Sequence, residues 1–249
     1  MPDIDPRSWK VETLRLTAFP IEAVPADEPP SAWATLVGAD PELVQKKPRE
    51  RALTEAGPHG PGWLFLETNP SRVDWRIGPS PDDQSAGWRL LGDFEADSQA
   101  FKVLMLKWLQ ISPPLRRLAF GARLLTPASD RVDVLRFLRG ILKNVTLDDA
   151  AHDFSYRINF RRASQVMAGL EINRLSSWAA VQTSSIVLNV NIEEALRTVP
   201  QQAYHAARLD LDINTVPDPK LQLAGQILPP LFEELVKLGL EISYKGDVP

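Results

Sequence analysis

The residues with the most chemical capacity lie in the run Ala207-Arg208-Leu209-Asp210-Leu211-Asp212-Ile213-Asn214. Its alternation is that of a strand, so Arg208, Asp210, Asp212 and Asn214 project from one face. Two carboxylates about 7 Å apart could hold Mg²⁺, with phosphate or water completing the shell. Asp210 and Asp212 would then serve a metal-dependent phosphoryl enzyme. The same face could instead be solvated, or tied to Arg157, Arg161 and Asn189 by cross-strand pairs.

The second constellation is basic. Residues 1–101 carry 10 Lys and Arg against 17 Asp and Glu, residues 102–174 carry 13 against 6, and residues 175–249 carry 5 against 9. A basic middle between acidic ends suits an anionic partner, or pairs with the chain's own acidic segments. Within and beside it, Arg123, Arg136, Arg139, Arg157, Arg161 and Arg162 are the candidates for gripping a partner or a phosphate, because a guanidinium binds such oxygens bidentately. Tyr156 and Trp178 could stack bases, but alternation places Tyr156 on the apolar face of its strand.

Other chemistries find little footing. The chain has no cysteine, which removes disulfides, thiolate ligands and cysteine nucleophiles and fits a reducing compartment. His59, His152 and His205 are far apart and lack an i, i+4 mate. There is no G-x-S-x-G elbow, so His152-Asp153 has no serine partner in sequence. Neither GxGxxG nor a P-loop occurs, and no cofactor and no catalytic residue is expected. No apolar run reaches the roughly 18 residues that span a bilayer, and the acidic N-terminus does not read as a secretory signal. The expectation is a cytoplasmic protein with no membrane contact.

The elements that must position these residues follow from periodicity. Val11 to Phe19 alternates as a strand. Residues 31–37 read as a short helix, Asp40-Pro41-Glu42 as a helix start cut off by Pro48, and 57–62 as an irregular loop. Gly62 to Thr68 and Arg72 to Ile77 form a hairpin, and Pro79 to Gly87 a polar loop. Phe101, Leu104, Met105, Trp108 and Leu109 stripe a helix over 94–109. Leu118 to Leu125 is a strand in which Gly121 marks a bulge or a close approach, and a second amphipathic helix covers 132–142. Four strands follow, near 154–161, 170–181, 184–192 and 207–214. A last helix over 221–238 should be kinked or split by Pro229-Pro230 and stopped by Gly239, leaving a loose tail from Tyr244. Runs of strands in sequence give an α+β class, with mostly antiparallel sheet on a few amphipathic helices. Strand–helix–strand units echo between the two halves. The 249 residues read as one unit with a subdomain boundary near 112–116.

Three stretches carry a resemblance. They are Phe19-Pro20, then Arg117-Leu118-Ala119-Phe120-Gly121-Ala122-Arg123-Leu124, then Leu209-Asp210-Leu211-Asp212-Ile213. In this order they resemble a sporadically distributed family of uncharacterised bacterial proteins of about this length. Leu124-Leu125-Thr126 stand where that family has an aromatic and Asn-Arg. The resemblance implies a bacterial cytosolic setting and no known chemistry.

The functional expectation is a non-enzymatic interaction protein, a subunit or adaptor of a stress or defence system. It would meet a protein partner or a second copy of itself. The alternatives are a nucleic-acid-binding module using the Arg-rich middle and the Asp210/Asp212 phosphoryl enzyme.

Overall fold

Alternation dictates the largest element of the computed structural model, which describes residues 9–24, 32–83, 87–185 and 202–249. In β1 (Lys10–Pro20), Leu14, Leu16 and Ala18 are buried while Arg15 between them is exposed. The same two-residue period shapes β4 (Gly62–Asn69), β6 (Leu115–Ala128), β7 (Ser155–Ala163), β8 (Glu171–Ser185) and β9 (Gln202–Thr215). With β2 (Leu43–Lys47), β3 (Ala52–His59) and β5 (Arg72–Gly78), the described strands make one sheet in the order β2-β3-β4-β5-β1-β6-β9-β8-β7. Every pairing in it is antiparallel. The class is α+β.

Four helices complete the description: α1 (Ala32–Val37), α2 (Phe94–Leu109), α3 (Arg131–Ile141) and α4 (Leu228–Lys245). The apolar stripes of α2, α3 and α4 cover one face of the sheet and share a core with it. Phe120 of β6 stacks with Phe94 of α2 and meets Phe232 of α4 edge-on at 6.0 Å. Trp9 packs edge-on between Phe137 of α3 and Trp178 of β8. Among the described residues no helix covers the opposite face, and no helix is long and apolar enough to cross a membrane.

The connectivity repeats. A strand, a helix, an antiparallel run returning to that first strand, and a long helix occur as β1-α1-β2 to β5-α2 and again as β6-α3-β7 to β9-α4. The repeat begins again at Leu115. There β6 pairs with β1, so the sheet runs unbroken across the seam.

Several local expectations are overturned. The helix start at residues 40–42 gives way to the edge strand β2. Pro48 leaves too little room for a helix, whereas β3 offers a ladder of hydrogen bonds. Residues 57–59 extend β3, with Pro58 opposite Trp63, and only Gly60-Pro61 form the turn. Pro229 and Pro230 do not kink α4. They sit in its first turn, where no intrahelical N–H is lost. Gly239 does not end it either. The helix passes through Gly239 and stops at Gly246, whose φ of 79° is left-handed. The tail is anchored rather than loose. Asp247 is 1% exposed, and its carboxylate accepts from the amides of Lys143 at 2.8 Å and Asn144 at 3.2 Å. Residues 184 and 185 end β8. The rest of the strand expected over 184–192, and the cap at Ser31, fall outside the described residues.

Two stability predictions follow from these contacts. Gly239→Ala should destabilise, against the helix-propensity gain of about 1 kcal/mol. A Cβ there would sit 2.9 Å from Phe120 Cε1, and overpacking costs about 1–3 kcal/mol. A lower urea midpoint at unchanged m-value checks it. Asp247→Ala strands two amides and should cost about 1–3 kcal/mol in the same assay.

Candidate functional site

Strand register decides which polar side chains meet on the uncovered face. Across the sheet, Phe65, Arg76, Arg15, Gly121, Asp212, Leu175 and Asn159 stand opposite one another in successive strands from β4 to β7. The neighbouring row contains Arg123, Asp210, Ser177 and Arg157. All of these residues except Phe65 and Asn159 line a hollow of about 510 Å³. Gly121 forms part of its floor. A Cβ there would lie 3.4 Å from Nε and 3.6 Å from Nη2 of Arg15, so that guanidinium lies across bare backbone. Gly121, expected to mark a bulge or a close approach, shows no register shift against β1 and lies under the Arg15 side chain.

The charges divide into a closed network and an open set. Arg123 Nε donates to Asp210 Oδ1 at 2.7 Å, and Arg208 Nε approaches Asp210 Oδ2 at 3.0 Å. A register shift between Val11 and Thr13 accompanies the approach of Glu12 Oε2 to 3.6 Å from Arg123 Nε. The bond to Asp210 raises the pKa of Arg123 above its ordinary value. Burial raises that of Glu12, an effect that the charge of Arg123 only partly opposes. Asp212 accepts from Asn214 Nδ2 at 2.9 Å. Arg15, Arg76 and Arg157 have no carboxylate within ion-pair distance among the described residues. Arg76 rests instead 4.3 Å over the ring of Phe65.

The sequence candidates separate accordingly. Arg123 and Arg157 reach the hollow. Arg161 lies on the same face but is held by Asn173 and by Glu171 at 3.5 Å. Arg162 faces the helices and pairs with Glu241 of α4 at 3.0 Å. Arg136 and Arg139 lie on α3, paired with Asp133 and Asp149. Asp210 and Asp212 share the face as expected, yet both oxygens of Asp210 are engaged by guanidiniums. Among the described residues no three His, Asp or Glu side chains gather as metal ligands would. Tyr156 is half-buried and Trp178 fully buried on the core face. Arg15 and Arg76 were missed because they belong to the acidic front of the chain. The signal was their place between buried neighbours in β1 and β5.

Comparison of the chain with protein-family models, curated proteins and solved structures finds no match. The reading of this face therefore rests on its own geometry.

Glu12 gives a pH prediction. Its raised folded pKa favours folding in acid, and that contribution is lost as pH rises through the folded value. Glu12→Gln should therefore gain stability relative to wild type between pH 4 and pH 7. Melting temperatures of both proteins at the two pH values check the sign. A difference that moves the other way would mean that the Arg123 contact outweighs burial.

Proposed function

We propose that this chain is a non-enzymatic interaction protein, an adaptor or subunit that presents the uncovered face of its sheet to an anionic partner. The observation that carries the reading is that, among the described residues, Arg15, Arg76 and Arg157 have no carboxylate within ion-pair distance and no helix covers their face. Excess charge of one sign steers oppositely charged partners and disfavours wrong ones. Asp210, Asp212 and Glu67 interleave with these arginines, which suits a protein surface of mixed but mainly acidic character. A nucleic acid is the second reading. The same arginines favour it, whereas the interleaved carboxylates oppose a phosphate backbone.

The test is affinity purification of the tagged chain from its host, with nucleic acid assayed in the same eluate. An Arg15→Glu, Arg157→Glu double variant is carried through in parallel. The expected result is a near-stoichiometric protein captured by wild type and lost by the folded variant. Equal capture by both would sink the open-face reading. Nuclease-sensitive material bound with a steep salt dependence would move the conclusion to nucleic acid.

A further inference from the structure

The most specific feature of that face is a cross-strand pair of like charges. Arg15 and Arg76 are register partners in β1 and β5 with their guanidiniums turned apart, Arg76 over Phe65 and Arg15 over Gly121, and neither has a carboxylate within ion-pair distance among the described residues. The adjacent acids are committed elsewhere. Asp74 accepts from Thr17 Oγ1 at 2.5 Å and pairs with Arg72, while Asp210 holds Arg123. Four guanidiniums and two carboxylates line the hollow, leaving two positive charges at neutral pH. The bare backbone at Gly121 keeps space above β6 where Arg15 lies. On the far side stand Arg157, Ser177 and Asp212, whose second carboxylate oxygen has no bond from Asn214.

We propose that this hollow binds a small phosphate monoester carrying hydroxyl groups, of the sugar-phosphate class. The Arg15 and Arg76 guanidiniums take the phosphate dianion, and Asp212, Ser177 and Arg157 meet the hydroxyls. The volume is that of a small-ligand site. Two excess charges match a monoester dianion better than a monoanionic diester. The residues that line the hollow include no aromatic side chain to hold a base. The inference rests on the uncovered face being a recognition surface, but not on which macromolecule meets it.

The experiment is calorimetric titration of the full chain with ribose 5-phosphate and glucose 6-phosphate. Inorganic phosphate, unphosphorylated ribose and a single-stranded oligonucleotide serve as comparisons. We expect saturable binding of a sugar phosphate tighter than about 1 mM. Ribose should not bind, and inorganic phosphate should bind more weakly. Affinity should fall as pH drops below about 6, where the monoester loses its second charge, while the arginines remain protonated. Arg15→Gln and Arg76→Gln should each weaken binding about tenfold or more, with circular dichroism unchanged. Gly121→Val, which places a branched side chain under Arg15, should do the same. Absence of sugar-phosphate binding, binding indifferent to Arg15→Gln and Arg76→Gln, or preference for the oligonucleotide overturns the site. A chain that captures a protein partner yet binds neither sugar phosphate loses this proposal and keeps the recognition surface. A chain that binds a sugar phosphate but captures no partner keeps this proposal and the recognition surface, and loses only the macromolecular partner.

Discussion

The pairing of β1 with β6 is the constraint on which the other features depend. It joins the two repeating halves along Leu14–Ala122, Leu16–Phe120 and Ala18–Leu118. Below the sheet it sets Phe120 between Phe94 and Phe232, close enough to α4 that only glycine fits at residue 239. Above the sheet it sets Arg15 against Gly121. Because side chains alternate, one register serves both faces. A one-residue slip would expose Leu14 and Leu16 and bury Arg15. The cost of that slip is far larger than any polar contact on the open face, so the core fixes the geometry of the hollow.

The ion pairs do a different job. Arg123 and Asp210 are 51% and 31% exposed in their side chains, a setting in which a pair contributes about 0–1 kcal/mol. Their physical effect is orientation. Asp210 draws Arg123 and Arg208 toward itself from β6 and β9, and thereby offsets their charge where Arg123 borders the hollow. What stays free in the hollow belongs to the ends of the arrangement, in β5, β1 and β7.

Much of this was legible in sequence. Alternation in β1, β7 and β9 gave the correct faces, and the stripe at Phe101 to Leu109 gave α2 to the residue. What was misread has identifiable causes. Proline marks an interruption or a first turn with the same letter, and only the hydrogen bonds around Pro229 tell them apart. Gly239 resembles a stop until Phe120 is known to lie beneath it. The edge strand β2 is exposed throughout, so no alternation announced it. The site itself was half found. Segment charge pointed to Arg123 and Arg157 but passed over Arg15 and Arg76, since net charge by segment is blind to which face a residue occupies. Asp247 gave no signal either, because its partners lie about a hundred residues away in sequence.

The repeat shows why the positive charge is left unresolved where it is. β5 and β9 occupy equivalent places, each pairing with the first strand of its own half. At the seam row the first half supplies Arg76 and Arg15, and the second supplies Asp212 and Gly121. An acid in β9 could have served the arginines, but Gly121 intervenes and no ion pair forms between them. Within the first half, Asp74 is buried with one oxygen on Thr17 and the other on Arg72. Glu67 is 3.8 Å from the same Arg72. The local acids are thus engaged before the Arg15–Arg76 pair is reached. Arg15 over Gly121 and Arg76 over Phe65, neither with a carboxylate within ion-pair distance among the described residues, are the positive charge that an external anion would meet on this face.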